Sequence, residues 1–595
     1  TPSRDMSTRA ISVEASPQNQ LDKTGDPCRL LLIDGIGPFF RHYNKKRINW
    51  SKIPFSSIET SDGLKPEVVE TVPDDFRKLV RRAKSLGYNA VTLDDVAHLI
   101  RCEKYADDLQ RKIEAYRELF GQLMAIAEEE GLAVFFTMDV MFFNESIREI
   151  IGDSQAKANS WLLEKLSQLF CDFPWIAGVI MRFGESDGLD VKGDFRSQLW
   201  LKRPADARRL LEKLLPMFEQ TGRLLIFRTW SVGAHPIGDL SWNKKRFRQA
   251  FDGLGSRSLV ISLKYGESDF FRYLPVNPLF FVSDHQKIVE FQARREYEGF
   301  GAYPSFVGWD SEEILRDLRA ARNLIGMSVW CQTGGWGKRR QLTFLRNSPI
   351  WVELNTCTLA RLWQGKTCEQ AIDEFVQSSL PEVPVDALID FLRRSEIVIK
   401  DLLYVRELAQ RQLYFRRLRL PPQLFVYWDR ILVDPMIKKA LSCLVRDHSA
   451  AIEQGHRALA ELQEMIAIAE SNKIPTRGLK LQLATFEIIA TARDYFFSDD
   501  EQAGVQLQQL KTRYKKRFKR NYSVFINLDA ARVHRVPIRW ILPLMVRERS
   551  SYRILDQVLT VRLLGLLYPL ARRFRHRIGP KFASQQAMGL DTLLK

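Results

Sequence analysis

The 595-residue chain is poor in histidine, with eight residues, and has no H-x-x-x-H spacing and no His/Cys cluster. A catalytic metal is therefore not expected. Its seven cysteines, at positions 28, 102, 171, 331, 357, 368 and 443, form no C-x-x-C pair. That excludes a zinc knuckle or a disulfide framework and predicts a reducing, cytoplasmic setting. No apolar run approaches the roughly 18 residues that span a bilayer, and the first residues contain no apolar leader core. The chain opens at Thr1 and not at Met, which leaves room for a removed leader. A phosphate-binding P-loop is absent, and no G-x-G-x-x-G opens a helix after a strand, so no cofactor is expected. Internal repeats and low-complexity stretches are lacking too.

What is present is an ordinary globular composition, 45% hydrophobic and 11% aromatic, on a chain long enough for two or three cores. Residues 1–28 are polar and aperiodic and read as a flexible tail. The net charge of +17 is unevenly spread: Lys511–Lys595 holds 20 Lys+Arg against 4 Asp+Glu, a balance of +16, and the other 510 residues carry +1. Residues 511–520 (KTRYKKRFKR) contain seven basic side chains in ten. An anionic partner for 511–595 follows from this excess, either a membrane surface or an anionic polysaccharide. The apolar, Arg-flanked stretch 553–577 reads either as a buried helix with a solvated basic end or as a segment lying in a membrane interface. Nucleic acid is not expected, because no recognised binding module is present.

Eight short apolar runs punctuate residues 29–335: 29–36, 90–93, 133–138, 178–183, 224–230, 259–264, 287–292 and 326–330. Amphipathic helical patterns lie between most of them, as at 76–86, 108–130, 156–170 and 205–219. Continuous apolar strands alternating with helices predict a parallel sheet covered on both faces, and eight units predict a (β/α)8 TIM barrel, over 29–351. From 352 to 595 the strand signals fade and an all-helical domain is expected.

Chemistry on such a barrel sits at the C-terminal ends of the strands. There the sequence places Asp94, Asp95, Asp139, Arg182, Glu185, Arg228, Trp230, Lys264, Tyr265, Asp269, Glu296 and Trp330. Several carboxylates around one mouth suit glycoside hydrolysis, which needs an acid for the leaving oxygen and a carboxylate for water or the sugar carbon. The cations suit a substrate that bears its own carboxylate. For any single acidic residue, an ion pair that merely holds a loop is an equally good reading.

At these positions the sequence resembles glycoside hydrolase family 67, the α-glucuronidases. The best segment is 263–297, LKYGESDFFRYLPVNPLFFVSDHQKIVEFQARREY; RRAKSLGYNAVTLDDV (81–96), FPWIAGVIMRFGESDG (173–188) and LLIFRTW (224–230) are similar in the same order, and the likeness covers about 29–380. The resemblance implies an inverting hydrolase acting on a uronic-acid-bearing oligosaccharide or polysaccharide. It makes Glu185 the general acid and Asp269 with Glu296 the paired base, and it places Arg228 and Lys264 on the uronate with Arg182 before the acid. The pattern departs from the family in three ways. The acid lies in Gly-Glu-Ser-Asp-Gly, so that Asp187 competes with Glu185. Only 28 residues precede the first strand, where the family carries a β-rich domain. The basic tail has no counterpart. The competing function is a non-catalytic or biosynthesis-associated barrel that binds an anionic glycan or a membrane surface.

Overall fold

The computed structural model describes residues 30–35, 55–183, 193–230, 235–332 and 342–548, apart from short breaks within 412–429 and at 499, 519–520, 529–539, 541 and 543–545. Each of the eight apolar runs forms a strand. These are β1 (Leu30–Asp34), β2 (Ala90–Asp94), β3 (Ala133–Asp139), β4 (Ile176–Arg182), β5 (Leu224–Arg228), β6 (Leu259–Lys264), β7 (Gln286–Gln292) and β8 (Leu324–Trp330). They close into one barrel in which every neighbour is parallel and β1 pairs with both β2 and β8.

Side chains alternate along a strand. One set faces the barrel axis, where Leu30, Leu32, Ala90, Phe135, Ile180, Ile226, Val260 and Ile288 pack into an apolar interior. The other set, such as Ile33, Val91, Phe136, Leu225, Leu263 and Val289, faces the outer helices. Burial on both sides explains why the strands read as unbroken apolar runs. Two glycines keep the wall tight: a Cβ on Gly178 or on Gly326 would lie 2.1 Å from the carbonyl oxygen of Leu224 or Leu30.

The outer layer comprises α1 (Pro66–Ser85), α2 (Asp107–Glu129), α3 (Glu145–Ile151), α4 (Gln155–Asp172), α5 (Pro204–Gln220), α6 (Lys244–Phe251), α7 (Gly308–Leu318) and α8 (Ile350–Trp363). Between β6 and β7 the covering helix is missing. A long loop with one 3-10 turn, Pro278–Phe281, takes its place. The C-terminal region fastens onto this loop: the Tyr404 hydroxyl accepts from the Arg272 amide, the Tyr273 hydroxyl donates to Asp401, and the Tyr414 hydroxyl donates to Glu267.

Beyond α8 the described residues are mainly helical, as expected: α9 (Cys368–Ser379), α10 (Val385–Val398), α11 (Pro435–Leu444), α12 (His448–Ser471), α13 (Leu479–Phe497) and α14 (Glu501–Arg517). It is not purely helical. Strands of two to four residues build two three-stranded sheets, one with Ser523–Ile526 beside Arg430–Val433 and one with Val546–Arg547 beside Tyr414–Phe415. Such short strands carry too few residues to show a period-2 signal. Among the described residues no helix is long and apolar enough to cross a membrane.

Candidate active site

The alternation that packs the barrel interior also delivers the site. Counting up from the inward apolar residues, the last inward position of each strand is Asp34, Asp94, Asp139, Arg182, Arg228, Lys264, Gln292 and Trp330. Seven of the eight are polar or charged. One layer below lie Thr92, Thr137, Ser262, Glu290 and Ser328, all buried. The C-terminal mouth is thus a ring of charge standing on an apolar plug.

Each cation of the ring is paired. Arg182 donates from Nε to Asp139 at 3.1 Å and lies 3.5 Å from Asp94. The guanidinium of Arg228 makes a fork on Glu290, at 2.9 and 3.0 Å, and sits 4.5 Å from the centre of the Trp330 ring. From Lys264 the ammonium reaches Asp269 at 2.5 Å and lies 3.7 Å over the Trp230 ring. Both Trp330 and Trp230 therefore act as cation–π platforms on the mouth floor.

Glu290 was missed in the sequence reading. The signal was there: it is the one acid in the strand KIVEFQ, at an inward position. Burial alone would raise its carboxyl. The Arg228 charge and fork, the Lys264 charge and the Ser262 hydroxyl outweigh burial and hold it below the usual carboxylate range.

Asp269 and Glu296 come from the loops that follow β6 and β7. Asp269 accepts the Lys264 ammonium and the Phe270 amide on Oδ1, and the Tyr297 hydroxyl on Oδ2 at 2.6 Å. Glu296 is buried; it accepts from the Gln292 side-chain amide at 2.9 Å, and its own N–H returns a bond to Gln292 at 2.8 Å. Arg294, fully buried, feels both Asp34 and Glu296, and burial still pushes its guanidinium down to about 10. Tyr297 was not singled out from the sequence, although it adjoins Glu296 and ties that residue's loop to Asp269.

Two of the expected substrate contacts are engaged by neighbouring groups. Asp95 does not face the mouth as a free carboxylate. It caps the short helix Val96–Leu99, accepting from the His98 amide at 3.2 Å and meeting the His98 ring nitrogen at 2.7 Å. Tyr265 stands one residue past inward-facing Lys264 and so points outward; its ring stacks on Phe291 and its hydroxyl donates to the Phe271 carbonyl. Asp34, also unremarked in the sequence, closes the seam beyond β8 by accepting from the Cys331 and Gln332 amides.

Glu185 and its competitor Asp187 fall within 184–192, outside the described residues. So does most of 511–595, including 553–577. Among the described residues no three His, Cys, Asp or Glu side chains are placed to hold a metal ion.

No family model and no curated protein matches the chain. Solved structures do. An enzyme of family GH138 targeting pectin rhamnogalacturonan II superposes with a TM-score of 0.50 at 12% identity, over 85% of this chain and 65% of that one. The present chain thus spans just under two thirds of that enzyme. An O-GlcNAc hydrolase from Thermobaculum terrenum gives 0.36 at 10% identity, over 75% of this chain and 86% of the other. A β-mannanase from the blue mussel Mytilus edulis gives 0.32 at 11%, over 57% and 94%. The first likeness is one of fold, a TIM barrel followed by further structure.

Proposed function

We propose that the chain is a glycoside hydrolase that cleaves a uronic-acid-bearing glycan with inversion, in the manner of an α-glucuronidase. The observation that carries this reading is the seating of Asp269. Its carboxylate stands at the barrel mouth between an ammonium and a phenol, in the loop after β6, with Glu296 adjoining that phenol's residue. A base in single displacement must be ionised and fixed while a water is held against it. Lys264 and Tyr297 supply the fixing, and Gln292 fixes Glu296 from its side chain and its backbone. Glu185, which follows β4 in the sequence, supplies the proton to the leaving oxygen. In an inverting enzyme it would stand roughly 6.5–9.5 Å from the base, leaving space for the water.

Arg228 and Lys264 remain the groups for a substrate carboxylate, supported by the resemblance and by their place on the ring. Their pairing changes what they contribute. Glu290 and Asp269 already balance the two charges, so selectivity for a uronide rests on hydrogen-bond geometry more than on net attraction.

The test is a panel of aryl uronides, each beside its neutral counterpart, with the product anomer followed by NMR. Preferential uronide turnover with an inverted product is expected. A retained anomer overturns the mechanism, and equal turnover of neutral glycosides overturns the uronate contact. Absence of turnover on every glycoside leaves the non-catalytic barrel.

A further inference from the structure

A second feature lies far along the chain from the mouth residues, on α14 and the strand that packs against it. From Gln502 to Leu528 the sequence has no acid and seven Lys or Arg. Arg513, Lys515, Lys516 and Arg517 are exposed on the last turns of α14. None of the four forms an ion pair with a carboxylate among the described residues; half-buried Glu487 is near enough to feel Arg513. The cations crowd one another: burial and the Lys515 charge push the Lys511 ammonium below its ordinary value.

A helix C-terminus attracts cations through its dipole, which accounts for basic residues in the final turn. It does not account for what lies beside them. Strand Ser523–Ile526 packs on α14, and the Lys511 ammonium donates to the Ile526 carbonyl. On that strand Phe525 is 40% exposed, and on α14 itself Val505 is 62% exposed. Exposed large apolar side chains are few among the described residues, and these two neighbouring elements carry two of them. A free polyanion rewards the cations only. A bilayer interface rewards cations and apolar side chains together.

We infer that the end of α14, with Phe525 beside it, is a docking surface for an anionic lipid bilayer. Arg513, Lys515, Lys516 and Arg517 would meet the head groups, and Phe525 would enter the acyl boundary. The surface is independent of the hydrolase reading and is tested without any substrate.

The full chain is sedimented with vesicles of phosphatidylcholine alone, with an equimolar mixture of phosphatidylcholine and phosphatidylserine, and with soluble polygalacturonate. Binding to the mixed vesicles only is expected, weakening at high salt as the Debye length shrinks. Each cation near an anionic surface contributes about fivefold. The variant R513E/K515E/K516E/R517E should therefore bind at least about a hundredfold more weakly, and F525S should lose severalfold on vesicles. Far-UV circular dichroism confirms that both variants are folded. Wild-type binding by the fourfold variant, or indifference of the intact chain to the mixed vesicles at low salt, overturns the inference. Equal binding to polygalacturonate with no effect of F525S overturns the lipid assignment in favour of an anionic polysaccharide.

Discussion

Replacing Glu298 by Gln should loosen the C-terminal region from the barrel. The Glu298 carboxylate is fully buried and collects bonds from four side chains. Arg295 donates from Nε at 2.9 Å and from Nη2; Arg272 donates from Nε at 3.3 Å and from Nη2 at 3.2 Å. The Ser305 and Tyr404 hydroxyls donate as well, each at 2.5 Å. Two buried guanidiniums thus depend on this acid, and Asp310 gives Arg272 a second carboxylate at 2.7 Å. A glutamine keeps the shape, removes the charge and turns an NH2 toward donors. Breaking a buried pair from one side costs about 3–5 kcal/mol. Tyr404→Phe removes the hydrogen bond to this charged acceptor, about 1.5–3 kcal/mol, together with the bond that the hydroxyl accepts from the Arg272 amide. Because both changes act on one network, the double variant should lose less than the sum, by about 1 kcal/mol or more. Urea unfolding followed by tryptophan fluorescence reads the loss, and limited proteolysis shows whether the C-terminal region opens first, since a chain of this size need not unfold in one step. Burial alone would raise the Glu298 carboxyl, but the charges of Arg272 and Arg295 and the bonds from Arg295 and Ser305 hold it well below the usual carboxylate range. Its contribution is therefore present above the unfolded carboxylate value, about 4.3, and is lost as pH falls toward the lower folded value. The gap between wild type and E298Q should be constant from about pH 5 to 8 and close below about pH 4. A loss under about 1 kcal/mol, or strict additivity with Y404F, would refute the argument.

Three further outcomes are expected. Glu290→Gln should destabilise by about 3–5 kcal/mol, whereas the double change Arg228→Met with Glu290→Met, which removes both charges, should recover part of that loss in the same urea assay. Lys287 is buried and donates to the Ser283 and His285 carbonyls, and burial pushes its ammonium down to about 8. Between that value and the ordinary one the unfolded chain holds the extra proton, so stability should rise by roughly 2–3 kcal/mol from about pH 8 to 10.5, and Lys287→Met should abolish the rise. On a cleaved uronide, Asp269→Asn should lower kcat by about 100- to 10,000-fold with little change in product affinity; unaltered kcat would remove Asp269 from the base role.

The local pattern of residues was enough to predict the barrel. Eight apolar runs, bounded by turns and separated by helical periodicity, demand burial on both faces whatever lies elsewhere in the chain, and each run became a strand. The charge asymmetry of 511–595 is likewise a property of the sequence alone. Strand ends collect at one mouth by connectivity, so the ring of Asp94, Asp139, Arg182, Arg228, Lys264 and Trp330 was legible in the sequence. Who pairs with whom was not. Arg228 meets Glu290 across 62 residues, and Glu298 meets Tyr404 across 106; both contacts exist only after the barrel closes and the C-terminal region docks. The partners of Asp95 and Tyr265 were not legible either, because a turn cap and an outward residue look, in sequence, like any polar group at a strand end. The missing helix after β6 and the small sheets of the C-terminal region were decided by tertiary packing, since segments of two to four residues hold no periodicity and take their conformation from the partner they find.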